Sequence, residues 1–371
     1  RYHDVVRRMM LHYQRQESPQ TYRKTQMALA GHYNTRRDEL CLTEGEQWTN
    51  EQWRADTLAY AYHFLVADPI KHWGEVLSLF VVAVRKRRAF AIEMIEVLSL
   101  GDVHDELSHK QNEIVQLFRQ QLQAVEDGEL RDGFAMFDRL CNITELIPQA
   151  KGYALAYRGE SYIQDEKLEK ALDDFEEALK HISEDAWIFV NRGVTYGLME
   201  RYEEALADFD RAIALDEKND LAIAIRGQTY QAMERYEEAL ADFDRAIALD
   251  KKNDWYRYRR AQVHMLIGQL KAFESDIRVA IELGQAELRS TPDDFQFGFN
   301  LALYYLAAGN VIETESKYTH FASSCSSLAQ LQEAIDDLTD FLSIQPSNEL
   351  AKSMYTHLQT RIAEVQQSST E

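Results

Sequence analysis

MERYEEALADFDRAIALD fills residues 199–216, and the same run returns at 233–250, an interval of 34. A verbatim repeat at a fixed period in the twenties to fifties marks a solenoid, whose units bury their apolar faces only against one another. The register extends outward from the identical stretch, with unit starts at Gly152, Ala186, Asp220 and Asp254. A small residue holds the eighth position of each unit (Gly159, Gly193, Gly227, Ala261), and tyrosine holds the eleventh (Tyr162, Tyr196, Tyr230) until His264 replaces it. Further along, Ala171, Ala205 and Ala239 recur, followed by Phe175, Phe209 and Phe243, then Ala178, Ala212, Ala246 and Ala280. Offsets of three and four put these residues on one face of each helix, where small side chains admit a neighbouring helix and aromatic ones fill the space between layers. In the fourth unit Phe273 and Ile277 stand in for Ala and Phe, which predicts looser packing there.

This pattern over residues 152–284 closely resembles the tetratricopeptide repeat, although the proline that ends each family repeat is replaced by Glu217 and Lys251. The resemblance implies an all-α fold, an α-solenoid of helix–turn–helix repeats in a right-handed superhelix, with degenerate helical repeats at both ends. The second helices of units two and three are identical, so they cannot tell one partner from another. The first helices, AWIFVNRGVTYGL at 186–198 and DLAIAIRGQTYQA at 220–232, share only Arg, Gly, Thr and Tyr. Their differing positions include one face opposite the packing face. By resemblance to the family, that face lines a concave groove. Carried over, the lining is Tyr153, Ala156, Glu160, Trp187, Val190, Asn191 and Val194, then Leu221, Ala224, Gln228, Trp255, Tyr258, Arg259 and Gln262. Aromatic residues there would act as interface anchors. The other reading is that Trp187 and Trp255 cover an adjacent repeat or the terminal helices.

Arg158, Arg192, Arg226 and Arg260 form a ladder, and Asp174, Asp208, Asp242 and Asp276 follow each of them sixteen residues later. A bare arginine ladder would suit an anionic ligand. Pairing across each helical hairpin is favoured, because stacked like charges without partners are destabilising. Arg257 and Arg259 have no counterparts in the other units and are the better candidates for touching a partner.

A net charge of −21 over 371 residues argues against nucleic acid and anionic membrane surfaces, both of which need a positive field. The longest apolar run, Val76 to Val84, is too short to cross a bilayer and stops at Arg85-Lys86-Arg87-Arg88. Cys41, Cys141 and Cys325 lie far apart without metal or redox spacing, which suits a reducing compartment and an expected cytoplasmic location. No GxxxxGK(S/T) loop or HExxH motif occurs, and the histidines are scattered. Carboxylates repeated with the scaffold make a poor acid–base pair, which needs two different environments. The chain is therefore read as non-catalytic, with no metal and no cofactor, and its expected partner is a protein or peptide.

The beginning reads YHDVVRRMMLHYQ, an amphipathic stripe over Tyr2 to Gln14, followed by Ser18-Pro19 as a helix start. With Leu29-Ala30, Tyr33 and Tyr62-His63-Phe64-Leu65, the residues His3, Asp4, Val6 and Arg7 resemble the end of the winged helix and the following arm of STAND-type signalling NTPases. That resemblance implies a nucleotide-binding domain ahead of residue 1. It also implies a trigger-sensing role in bacterial signalling, often in antiviral defence. A free-standing tetratricopeptide adaptor is the alternative. The expected divisions are a winged-helix-like or helical lead-in at 1–35, degenerate repeats at 36–151, the regular array at 152–286, and an atypical repeat with an inserted helix and a polar tail at 287–371. Helices are expected at Trp73–Leu100, Glu106–Val125 and Glu129–Glu145, the last closed by Pro148.

Overall fold

In a computed structural model, residues 13, 15–126 and 134–368 are described, and among them the regular structure is entirely helical. The stripe at residues 2–14 therefore lies, apart from Tyr13, outside the described residues. The chain divides into two compact units, one reaching Thr195 and the other starting at Tyr196.

The first unit opens with α1 (Pro19–Glu39), α2 (Glu44–Thr49) and α3 (Glu51–Ala67). Proline stands in the first turn of α1 as expected, but the Ser18 hydroxyl donates to Thr21 Oγ1 and does not cap the helix. The later starts are capped by side chains. The Thr43 amide donates to Glu46 at 2.9 Å, the Trp53 amide to Asn50 at 2.9 Å, and the Lys71 amide to Asp68 at 3.1 Å. Where one helix was expected over 73–100, the structure has α4 (Pro69–Lys86) and α5 (Arg88–Leu98), separated by Arg87 at φ −159°, ψ 89°. The apolar run of α4 is core: Val76, Leu77, Phe80, Val81 and Ala83 are fully buried. Phe80 stacks on Phe118 of a later helix at 5.2 Å.

Next come α6 (Gly101–His104), α7 (His109–Glu126), α8 (Phe134–Cys141), α9 (Pro148–Gln164) and α10 (Leu168–His181). Pro148 thus begins a helix and does not end one, in keeping with its fixed φ and missing N–H. The hairpin of α9 and α10 shows why the eighth position is small: a Cβ on Gly159 would lie 3.0 Å from the Phe175 ring. Phe175, Ala171 and Ala178 are fully buried in this hairpin. Burial of one such phenylalanine contributes roughly 1.5–3 kcal/mol.

After α11 (Ala186–Leu198), the second unit continues with α12 (Tyr202–Leu215), α13 (Asp220–Ala232), α14 (Tyr236–Leu249), α15 (Asp254–Leu266) and α16 (Leu270–Ser290). It closes with α17 (Phe295–Ala307), α18 (Val311–Ser324), α19 (Leu328–Ile344) and α20 (Glu349–Ser368). Helices pack in consecutive pairs, α13 with α14, α15 with α16, α17 with α18 and α19 with α20. Within the stretch expected to hold an atypical repeat with an inserted helix, Asn300–Tyr305 lies in α17 and Ala334–Phe341 in α19. The segment between them is α18, which forms its own hairpin with α17. The polar end is helical through Ser368, where α20 buries Val365 in its last turn. Residues 369–371 lie outside the described part.

Candidate functional site

The outward face of the first helices is where partner-reading residues were expected, and each unit shows its own portion. In the first unit Tyr153 is 2% exposed and its hydroxyl donates to Asp185 at 3.0 Å. Ala156 is also buried, and Val190 is nearly so. Trp187 is half-buried: the Tyr157 ring lies 4.7 Å away, Tyr157 itself stacks on Phe137, and the Arg85 guanidinium sits 4.7 Å from the indole centroid. Asp185 ties this arrangement together, accepting the Trp187 amide at 3.0 Å and pairing with Arg85 at 3.7 Å. Asn191 donates to the Trp187 carbonyl at 2.9 Å, and Val194 is half-buried. Glu160 sits on the same face of α9; burial pushes its carboxyl up to about 7, with Arg85 pulling it back. The basic cluster beginning at Arg85 is thus partly a contact to the first repeats, where a cation over an aromatic face is favourable.

In the second unit Leu221 is 53% exposed, Ala224 is buried and Gln228 is half-buried. Trp255 is half-buried, with Tyr258 at 5.4 Å and the Arg259 guanidinium at 5.4 Å from its ring. The expectation that Tyr258, Arg259 and Gln262 stand open is corrected: they are 1%, 8% and 4% exposed. Neighbouring helices supply cover: Asp340 of α19 pairs with Arg259 at 3.1 Å, the Tyr304 ring of α17 lies 5.1 Å from that of Tyr258, and Gln345, just beyond α19, reaches Met265. The Gln262 amide nitrogen donates to the Tyr258 hydroxyl at 3.1 Å. Repeat geometry did not reveal this, because α17 and α19 lie outside the 34-residue register. Of the expected lining, Leu221, Gln228 and Trp255 in this unit, and Glu160, Trp187, Asn191 and Val194 in the first, keep accessible surface.

The arginine ladder is a set of clamps. Arg226 donates through Nε and Nη2 to both oxygens of Asp242 at 2.7 Å, and through Nη1 to Asp210 at 2.5 Å. Arg260 repeats the arrangement with Asp276 and Asp244, and Arg158 does so with Asp174 and Asp138. Each guanidinium therefore joins its own hairpin to the helix before it, and the fork geometry suits arginine where lysine would not serve. Asp174, Asp242 and Asp276 are nearly buried, which makes these pairs structural.

Among the described residues no group of three or more His, Cys, Asp or Glu is placed to hold a metal ion, and no helix is long and apolar enough to cross a membrane. Cys141 is buried and its thiol is pushed up to about 12 by burial, which disfavours the reactive thiolate. A cleft of about 480 Å³ opens beside Phe273 and Ile277 of α16, lined also by Ile281, Gln285 and Ala307. It lies where the fourth unit departs from the alanine and phenylalanine pattern.

A family model described as tetratricopeptide repeat matches residues 186–219 and 222–253. No curated protein matches the chain. Among solved structures, a crystal structure of MamA is 14% identical, covering 46% of this chain and 96% of that one at a TM-score of 0.40. A tetratricopeptide repeat protein from Parabacteroides merdae is 17% identical over 66% of this chain and 98% of its own, with a TM-score of 0.39. The first tetratricopeptide domain of Spaghetti, bound to an HSP90 peptide, is 22% identical over 32% of this chain and 95% of its own, at 0.31. The family match and the paired helices at its period agree. Together they make residues 186–253 tetratricopeptide repeats within an all-α solenoid.

Proposed function

We propose that this chain is a protein–protein interaction module, serving as the trigger-binding arm of a STAND-type ATPase. The observation that carries the first half is the contrast inside the matched repeats. Their second helices are identical, whereas the outward positions of their first helices differ and leave Leu221 largely exposed. An apolar side chain left open on the face that varies between otherwise identical repeats suits a partner contact.

The second half is supported by the resemblance of His3, Asp4, Val6 and Arg7 and of the stretches after them to the arm of such ATPases. Within the described residues, α1 and α3 form a close pair in which Tyr33 stacks on His63 at 5.5 Å and His63 bonds to Gln26. On this reading a protein or peptide trigger binds the repeats, relieves an inhibited state of an upstream domain and permits nucleotide-dependent oligomerisation.

The test uses the full-length protein with its captured partner. ATP hydrolysis and particle mass are measured with and without that partner, for wild type and Leu221→Asp. Stimulation that the variant loses is the expected result. Saturable binding with no ATP hydrolysis in the full-length protein would favour the adaptor reading, and the lack of any saturable partner would contradict both.

A further inference from the structure

The second helix of the fourth unit overruns its register. Helices α10, α12 and α14 have 14 residues each, whereas α16 begins at the same repeat position and has 21. Gly284 stands where Asp216 and Asp250 end their helices, and about two further turns follow it. That extension carries Gln285, Leu288 and Arg289, which form one wall of a cleft of about 500 Å³ completed by α17 and α18. In a chain of net charge −21, this cleft sets Arg289, Lys317 and His320 against a single carboxylate, Glu313. Among the described residues Arg289 and Lys317 form no ion pair. Glu313 lies four residues before Lys317 on α18, a spacing that suits pairing, and still the two do not pair.

A second observation is independent of these charges. Tyr305 lines the same cleft and is 9% exposed. Its hydroxyl accepts from the Gln285 amide nitrogen at 2.6 Å, which leaves its own proton without an acceptor among the described residues. A donor left unmade in so buried a place is costly, and a carboxylate oxygen would satisfy it while meeting the two cations. Gln285 also lines the apolar cleft beside Phe273, Ile277 and Ile281, so the two clefts share a wall. Ile277, Ile281, Gln285 and Leu288 follow one another at spacings of four, four and three, along one face of α16. From Ile281 to Arg289 is about 12 Å of helix, which about four residues of extended polypeptide span, and side chains four apart on such a chain point the same way.

We propose that the two clefts together bind an extended segment of a partner polypeptide. An acidic side chain sits between Arg289, Lys317 and the Tyr305 hydroxyl, and an apolar side chain about four residues away sits against Ile277 and Ile281. This deepens the interaction-module reading and rests on it. Charge complementarity selects the occupant: the cations have no carboxylate of this chain to hold, and the apolar cleft beside them asks for a side chain that a small anion lacks.

The probe is the capped peptide Gly-Glu-Gly-Gly-Gly-Leu-Gly, titrated by NMR against the 371-residue chain, with sodium acetate alongside. The peptide is expected to saturate and to shift the methyl resonances of Ile281 and Leu288. Replacing its glutamate by glutamine should weaken binding about tenfold, and its leucine by glycine about fivefold. Lys317→Gln and Arg289→Gln should each weaken it about fivefold. Lys251→Gln, which removes the same charge from an exposed turn, should leave it unchanged. Circular dichroism checks the fold of each variant, and the altered peptides keep the test decisive where a variant misfolds. Equal binding to wild type and Lys317→Gln, or equal binding of the glutamate and glutamine peptides, overturns the proposal. Acetate that binds as tightly as the peptide overturns it as well, since the site then takes a small anion only. A captured partner that binds wild type and Lys317→Gln alike, with no peptide binding, sinks this inference and leaves the broader reading standing. If the peptide binds here while no partner saturates the protein, the broader reading fails instead.

Discussion

Arg226 touches three carboxylate oxygens on two helices, so its removal leaves Asp242 buried without a counter-charge. Loss of one partner from such a pair costs about 3 kcal/mol. Arg226→Met should therefore lower the melting temperature by roughly 6–12 °C, taking about 2–4 °C per kcal/mol for a unit of this size. Partner affinity should stay within about twofold, since the guanidinium is committed to structure; a stable variant that no longer binds would restore the anionic-ligand reading. Two carboxyls make an opposite prediction with pH. Burial holds both Asp337 and Glu160 up near 7, so between about 4 and 7 the folded chain keeps protons that the unfolded chain has released. Their contribution to stability accordingly falls as pH rises through that window. Asp337→Asn should raise the melting temperature at pH 8 and change it little at pH 4, as followed by circular dichroism. The ladder was legible in the sequence because Arg and Asp recur sixteen residues apart. The burial of Arg259 was not, since its partner Asp340 lies 81 residues on and outside the repeat.

At the scale of the hairpin, one turn recurs. Glu166, Glu200, Glu234 and Gly268 follow one another at intervals of 34, with φ of 57°, 59°, 59° and 74°, and Gly309 adopts 74° at the turn between α17 and α18. Behind each, the next residue's amide returns to the carbonyl five positions earlier, as Arg235 does to Tyr230 at 2.8 Å and Gln269 to His264 at 2.8 Å. These are left-handed helix ends, where glycine carries no steric penalty and glutamate does. Glu234→Gly is expected to stabilise by about 0.5 kcal/mol, because the relief outweighs the extra freedom of glycine in the unfolded chain. Gly268→Ala should cost about 1 kcal/mol, and denaturant midpoints measure both. Gly298 makes a different demand: a Cβ there would overlap the Phe321 ring, so Gly298→Ala should force α17 from α18 and destabilise by roughly 1–3 kcal/mol. The helices over 152–284 were readable from their register. The break at Arg87 was not, because apolar residues continue on both sides (Val84, Phe90) and neither glycine nor proline marks it. The shared turn escaped notice for a related reason: glutamate hides in three units a backbone state that glycine reveals in the fourth.

For the molecule as a whole, 62 acidic residues against 41 basic ones set up a self-repulsion that salt should relieve. The ladder pairs are largely buried and screened less than exposed charges. Raising salt from low to physiological strength should therefore raise the melting temperature while it weakens any partner held by basic residues. A fall in melting temperature would mean that exposed ion pairs, not the clamps, dominate stability. The central claim is that the outward face of the first helices reads the partner while the repeated second helices only support it. Its most direct test is the dissociation constant of the captured partner, measured for wild type, Leu221→Asp on the first-helix face and Glu237→Gln on the repeated second helix. Anchor residues commonly contribute about 2 kcal/mol each, so Leu221→Asp should weaken binding by roughly thirtyfold or more. Glu237→Gln should leave it unchanged. Full affinity in Leu221→Asp, or a comparable loss in Glu237→Gln, would contradict the account.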